Sequence, residues 1–116
     1  MKSDFIIYHN NRCTKSRCAL ELLQEKTNSI QIIDYLKNPP NEKTLKDLLK
    51  KLGIKAEEII RKKENIFIKL FKGKKFSENE WIKILSTNPI LIERPIIIKG
   101  NKAVIGRPPE NIHSLF

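Results

Sequence analysis

The stretch with the most reactive side chains is HNNRCTKSRC, residues 9–18, which contains both cysteines of the chain. Cys13 follows the apolar run 5–8, which is typical of a buried strand, and it precedes a helical pattern that begins at Thr14. The first turn of a helix offers unpaired N–H groups and a partial positive charge, which stabilise a thiolate or a tetrahedral anion. We therefore predict that the pKa of Cys13 lies below the free value of about 8.5 and that Cys13 is a nucleophile.

Three other roles of Cys13 stay open at this point: an unreactive thiol under the helix, a metal ligand, or half of a disulfide. A structural zinc site needs four ligands at tight paired spacings, whereas this chain has C-x₄-C and only His9 and His113, so a metal site is poorly supported. Cys18 lies about 500° around a helix from Cys13, so a disulfide between them would require the helix start to unwind. We predict that Cys18 is a small, partly buried helix residue and that another molecule supplies the second thiol.

Histidine and arginine are the other side chains of chemical interest. His9 lies four residues before Cys13, and it either supports the thiolate or is a strand-end residue hydrogen-bonded to backbone. Arginine suits a tetrahedral oxyanion because its planar fork donates two parallel hydrogen bonds. The chain has arginines at positions 12, 17, 61, 94 and 107. They are more informative about a ligand than the net charge is.

Composition indicates a soluble, basic, globular protein. The chain has 116 residues, of which 40% are hydrophobic, and this fits one compact domain. The formal net charge is +10, but lysines are scattered over the predicted helix faces and few aromatic residues alternate with them, which disfavours nucleic-acid binding. No apolar run approaches the ~20 residues of a membrane helix, and the apolar stretch near the N-terminus is too short for a signal peptide. We therefore expect a cytoplasmic protein with reduced cysteines.

Secondary-structure patterns place the cysteine loop between a strand and a helix. Strands are predicted at 5–8 and 30–35, with a helix from Thr14 between them, and this βαβ order predicts that the two strands are parallel. A leucine stripe over 45–52 predicts a helix that ends at Gly53. Further patterns predict a short helix at 57–60, a helix capped by Ser77 and Glu80, a hairpin of strands 96–98 and 103–105, and a last short helix in the tail from Pro108.

The order of these elements predicts an α/β fold with an open mixed sheet. The first two strands form its parallel part and the hairpin its antiparallel part, which is the layout of a thioredoxin-like sheet. We predict a single thioredoxin-like domain over residues 1–116, with a helical insertion at about 41–87.

Three motifs together resemble one protein family. HNNRCTKSR is similar to the HNPxCxxSR loop of the bacterial arsenate reductases that work with glutathione and glutaredoxin, and the resemblance continues in NPILIERPI at 88–96 and GRPPE at 106–110. It spans nearly the whole chain in the same order. The resemblance implies that Cys13 is the nucleophile, that His9 is linked to its thiolate character, and that Ser16 helps to hold the anion.

The same resemblance implies three arginines for the oxyanion and a cis-proline. Arg94 and Arg107 fall inside the long motifs, whereas Arg61 rests on a shorter local match, IIRKKE. Pro95 resembles the cis-proline that faces the catalytic loop in thioredoxin-like folds; read without the resemblance, it would simply start a strand. The implied substrate is arsenate, the co-substrate is glutathione, the protein partner is glutaredoxin, and no metal or organic cofactor is bound.

Two departures from the family pattern keep alternatives open. The family has a proline where this chain has Asn11, so the loop is expected to be less stiff, and the position of Cys18 is commonly polar in the family. One alternative is a thiol oxidoreductase of the same fold with another substrate. A second is a redox-linked regulator that binds RNA polymerase, but the C-x-x-C pair of that branch is missing here.

Overall fold

The computed structural model describes residues 4–116, which form two compact units. The first unit consists of residues 4–38 and 94–116, and the second of residues 39–93. The predicted insertion at about 41–87 lies within the second unit. That the whole chain is a single domain stays a prediction.

The first unit contains a four-stranded mixed sheet in the order β2-β1-β3-β4. Strand β1 pairs in parallel with β2 and antiparallel with β3, and β3 pairs antiparallel with β4. The predicted α/β class with a mixed sheet is therefore confirmed. The elements are β1 (Phe5–His9), α1 (Thr14–Lys26), β2 (Ile30–Asp34), β3 (Ile96–Lys99) and β4 (Lys102–Ile105).

Apolar side chains from the sheet and from α1 form the core of the first unit. Helix α1 buries Ser16, Ala19 and Leu23, which lie on one face because they are spaced by three and four residues. The predicted tail helix is a 3₁₀ segment, Pro109–Leu115, that adds Ile112 to this core. The carboxyl end of β1 and the start of α1 are thereby held in fixed positions.

A hairpin connects β3 and β4, as predicted, and its strands are one residue longer on each side than expected. Lys99 and Lys102 are paired in register, so Gly100 and Asn101 form the loop. Gly100 has φ 59°, which the first position of such a hairpin turn requires and which glycine adopts without steric cost. The hairpin brings the segment after β4 back along the sheet.

The second unit is helical and its helix ends are fixed by local hydrogen bonds. Asn41 caps the first helix by accepting the N–H of Thr44 at 2.8 Å, and Gly53 ends it with φ 72°. The predicted capping box is confirmed, because Ser77 and Glu80 accept each other's backbone N–H groups. The helices are α2 (Glu42–Leu52), α3 (Asn65–Leu70) and α4 (Glu78–Thr87).

Two local predictions for the second unit need correction. The short helix expected at 57–60 is a 3₁₀ turn, Ala56–Ile59, because Ile60 is already extended and bridges to Ile92. Helix α3 was not predicted, since six residues are too few for a helical period to be recognised. Within residues 4–116, no helix has the length and apolarity needed to cross a bilayer.

Candidate active site

Cys13 lies at the junction between β1 and α1. It is the N-cap residue of α1, with extended backbone angles, and its own N–H donates to the carbonyl of Asn10 at 3.0 Å. The first turn of α1 contains no acidic side chain, so the sulfur of Cys13 is the candidate anion at this helix start. Its side chain is buried. The structure thus places Cys13 where the sequence predicted it.

The pKa of Cys13 is lowered relative to an ordinary thiol. Burial alone would raise the pKa of Cys13, but the backbone N–H of Ser16, the guanidinium of Arg94 and the backbone N–H of Lys15 favour the thiolate and outweigh it. The two N–H groups stabilise the negative charge of the sulfur although Cys13 makes no side-chain capping hydrogen bond. The direction agrees with the one that the sequence predicted.

Two arginines that are distant in sequence meet at this sulfur. Arg107 Nη2 lies 3.2 Å from Cys13 Sγ, and its Nε donates to the carbonyl oxygen of Arg94 at 2.7 Å. Burial lowers the pKa of Arg94, but its contacts with Cys13 and Tyr35 more than offset this and leave it raised. Arg94 is therefore held in its charged form beside the thiolate.

Prolines and a glycine are the chain neighbours of these two arginines. The Arg94–Pro95 and Arg107–Pro108 peptide bonds are both cis, and the N–H of Gly106 donates to the carbonyl of Pro95 at 2.8 Å. A Cβ on Gly106 would lie 2.9 Å from Pro95 Cγ, and it would come almost as close to side chains of β3 and α1. Only glycine therefore lets the chain pass between Pro95 and α1 just before Arg107.

A hydrogen-bond network inside the loop contains His9. The Ser16 hydroxyl accepts the N–H of Asn10 at 3.0 Å and lies 2.7 Å from His9 Nδ1, while His9 Nε2 lies 3.4 Å from Asn11 Oδ1. Since the amide oxygen of Asn11 can only accept, His9 Nε2 is the donor of that contact. His9 is the last residue of β1, as one interpretation expected, but the partners of its ring are side chains and not backbone groups.

The backbone N–H of Ser16, and not its hydroxyl, stabilises the sulfur of Cys13. The hydroxyl is fully buried and occupied by Asn10 and His9, whereas the backbone N–H is the group that stabilises the sulfur. Ser16 therefore links His9 to Cys13, because its hydroxyl contacts the His9 ring and its N–H stabilises the sulfur. Ser16 and His9 fix the shape of the loop.

Arg61 lies in the second unit. Its Nη1 is 2.9 Å from Glu93 Oε1 and its Nε is 3.6 Å from Glu64 Oε2, so its charge is balanced by two carboxylates. The role of Arg61 as an oxyanion ligand stays a prediction.

Cys18 is exposed, so the prediction that it is partly buried is wrong. The buried positions of α1 are three, six and ten residues after Cys13, and position 18 lies on the other face of the helix. Cys13 and Cys18 are both free thiols. Across residues 4–116, no three side chains of the metal-ligating types His, Cys, Asp and Glu come together.

Sequence reasoning missed two residues of this site. Tyr35 is buried directly after β2 and its contact with Arg94 helps to keep that guanidinium charged. The signal was its place at the carboxyl end of a parallel strand, where ligand sites form. Gly106 stood inside the GRPPE motif, but nothing in the sequence shows the close packing around it.

The ArsC family model matches residues 8–115. The chain belongs to the ArsC family. It is 44% identical to the uncharacterized protein YfgD of Escherichia coli strain K12 over 108 residues, or 91% of each chain. It is 38% identical over 112 residues to an arsenate reductase of Neisseria meningitidis serogroup B, covering 95% of this chain and 96% of that one.

Solved structures of this family have the same fold. The arsenate reductase of Vibrio cholerae matches with a TM-score of 0.93 and 34% identity over 100% of both chains. The family recognised from the sequence motifs and its thioredoxin-like fold are thus confirmed.

Proposed function

We propose that this ArsC-family chain reduces arsenate to arsenite through Cys13 as the single nucleophile, with glutathione and glutaredoxin as thiol donors. The observation that carries the proposal is the 3.2 Å contact between Arg107 Nη2 and the sulfur of Cys13, whose pKa is lowered. A nucleophile and two cations for a tetrahedral anion thus occupy one place. The arsenate reductases of Neisseria and Vibrio add support through their similarity.

In the first step, the thiolate of Cys13 attacks the arsenic of arsenate. A sulfur–arsenic bond forms, and one oxygen takes up protons and leaves as water. The guanidinium groups of Arg94 and Arg107 neutralise the negative charge that would otherwise repel the sulfur. The resemblance to the family implies Arg61 as a third oxyanion ligand.

In the second step, the thiolate of glutathione attacks Cys13 Sγ. A disulfide bond forms, and the sulfur–arsenic bond breaks with its electron pair left on arsenic, which becomes As(III) and leaves as arsenite. Glutaredoxin then attacks the mixed disulfide and releases the Cys13 thiolate. Two thiols are oxidised for each arsenate reduced, and the residues need no metal or organic cofactor. Glutathione chemistry of this kind belongs to the cytoplasm, where we place the protein.

The two cysteines provide a matched test of this mechanism. We expect Cys13→Ser to abolish NADPH-coupled arsenate reduction with glutathione and glutaredoxin, while Cys18→Ser retains most of it, because only Cys13 has the lowered pKa and the arginine contact. The same assay is run with thioredoxin in place of glutaredoxin.

Three outcomes would contradict the proposal in different ways. Equal damage by the two serine variants would indicate an internal disulfide instead of a single-cysteine mechanism. Turnover with thioredoxin alone would reject glutaredoxin as the donor. A reactive Cys13 without arsenate turnover would favour a thiol oxidoreductase with another substrate.

A further inference from the structure

A cavity of about 410 Å³ lies beside the Cys13 loop in the first unit. It is open at the carboxyl edge of the sheet, where β1 and β2 end side by side, since His9 and Asp34 are paired in register. Its volume falls within the range of about 300–1,000 Å³ that small-molecule sites occupy. The residues that line it are Asn10, Asn11, Arg12, Asp34, Leu36 and Lys37.

The charged side chains of this cavity are two cations and one anion. Arg12 and Lys37 are exposed, and neither they nor Asp34 is in an ion pair with any residue of the range 4–116. Their charges are therefore available to a ligand. A partner that complements them has two negative groups and one positive group.

Local hydrogen bonds order the backbone that carries these side chains. Asp34 Oδ1 accepts the N–H of Leu36 at 3.1 Å, and the carbonyl of Asp34 accepts the N–H of Lys37 at 3.1 Å, so one tight turn presents both charges. On the opposite side, Asn10 Oδ1 accepts the N–H of Arg12 at 2.9 Å. The cavity is thus built on ordered backbone and needs little reorganisation to bind.

We infer that this cavity binds the peptide part of the thiol donor, with Arg12 and Lys37 holding its two carboxylates and Asp34 its ammonium group. The inference rests on the proposed function, which supplies glutathione as the donor. Glutathione is a tripeptide with two carboxylates, one ammonium group and a central thiol, so its charges match the cavity one for one. Small neutral thiols have none of these groups.

The place of the cavity fits a donor that must reach Cys13. Arg12 directly precedes Cys13 in the chain, and Tyr35, which follows Asp34, contacts the same Arg94 that stabilises the Cys13 sulfur. Arg94 and Arg107 are at the sulfur and are proposed to bind the oxyanion, whereas Arg12 lines the cavity beside the loop. The oxyanion and the thiol donor would then be bound by different charged residues on their way to the same sulfur.

Binding of S-methylglutathione to the whole chain tests the inference directly, because this analogue keeps the charges but cannot react. We expect the Arg12→Gln/Lys37→Gln double variant to raise its Kd about tenfold or more in a calorimetric titration, since two charge-assisted hydrogen bonds are lost. The Lys43→Gln/Lys83→Gln variant removes the same charge from α2 and α4 and should leave the Kd unchanged. Equal affinity of wild type and the first variant, or equal loss in both variants, would overturn the inference.

Steady-state kinetics separates this inference from the proposed function. With arsenate as substrate, the first double variant should raise the KM for glutathione about tenfold more than it raises the KM for 2-mercaptoethanol, a neutral thiol. Equal loss with both thiols would overturn the subsite. If wild type reduces no arsenate with any thiol but the Kd for S-methylglutathione still depends on Arg12 and Lys37, the proposed function fails and the subsite stands.

Discussion

At the scale of single residues, the reactivity of Cys13 results from opposing effects on one sulfur. Burial disfavours the thiolate, and the N–H groups of α1 together with Arg94 favour it more strongly. The contact from Arg107 acts in the same direction, because an opposite charge stabilises the ionised form. A thiolate at neutral pH is the species that attacks an electrophilic centre.

Alkylation by iodoacetamide measures this ionisation. In a Cys18→Ser background only Cys13 reacts, and its alkylation rate should rise with pH through a midpoint below about 8.5. Replacement of Arg94 by Gln removes one of the causes of the lowered pKa and should move the midpoint upward. A midpoint at or above that of a free thiol would disprove the activation of Cys13.

Arg107 carries two contacts that lysine cannot make together. Its Nη2 meets the sulfur and its Nε donates to the carbonyl of Arg94, which requires a planar fork. We expect Arg107→Gln to lower kcat/KM for arsenate by about 10² or more, and Arg107→Lys to recover little of it, because the orientation of the charge is lost. Full recovery by lysine would mean that charge alone matters.

At the scale of elements, the site depends on the close approach of β4, β3 and α1. Gly106 follows β4, and the space beside its Cα is already filled by side chains of Pro95, Ile97 and Ala19. Arg107 comes next and turns toward Cys13. The packing of the sheet against α1 therefore sets the distance between an arginine near the C-terminus and a cysteine near the N-terminus.

Substitution of Gly106 tests this packing. A Cβ there would lie 2.9 Å from Pro95 Cγ and 3.0 Å from Ile97 Cδ1, so Gly106→Ala should lower the free energy of unfolding by about 1–3 kcal/mol in urea denaturation. Ile97→Val removes the Cδ1 atom and should relieve part of the strain, so the double variant should cost less than the sum of the single variants. Simple additivity would show that the contact does not limit the packing.

At the scale of the whole molecule, the sequence predicted the elements whose patterns are long or strongly marked. The leucine stripe of α2, the capping box of α4 and the glycine turn of the hairpin all encode their structure locally. Helix α3 was not predicted because its six residues are stabilised by ring contacts. The ring of Phe67 stacks on that of Trp81, with 6.2 Å between the ring centroids. Such contacts depend on tertiary structure, which no local pattern shows.

The features of the site also divide into those that the sequence predicted and those that it did not. The position of Cys13 at a helix start follows from the order of strand and helix, and Arg94 and Arg107 came from motifs. The contact of Tyr35 with Arg94 and the occupied hydroxyl of Ser16 arise from the packing of distant segments. The exposure of Cys18 depended on which face of α1 is buried, and the apolar residues of α1 fix that face only once the sheet is in place.

The ionisation of one thiol should also be visible in the stability of the whole chain. Because the pKa of Cys13 is lower in the folded than in the unfolded chain, its contribution to the free energy of unfolding is fully present above the unfolded pKa of about 8.5. That contribution is lost as the pH falls through the folded pKa. Stability and thiolate formation at Cys13 are therefore linked, and the same groups that activate the sulfur should stabilise the folded chain.

Urea denaturation under reducing conditions, from about pH 5 to about pH 9, measures this linkage. The stability of wild type minus that of Cys13→Ser should increase with pH and level off above about 8.5, because serine does not titrate in this range. Starting from Arg94→Gln, the same comparison should give a shallower increase, since the arginine is one cause of the lowered pKa. A difference that is flat, or that falls with pH, would mean that the fold does not stabilise the thiolate and that the arginines meet at Cys13 for another reason.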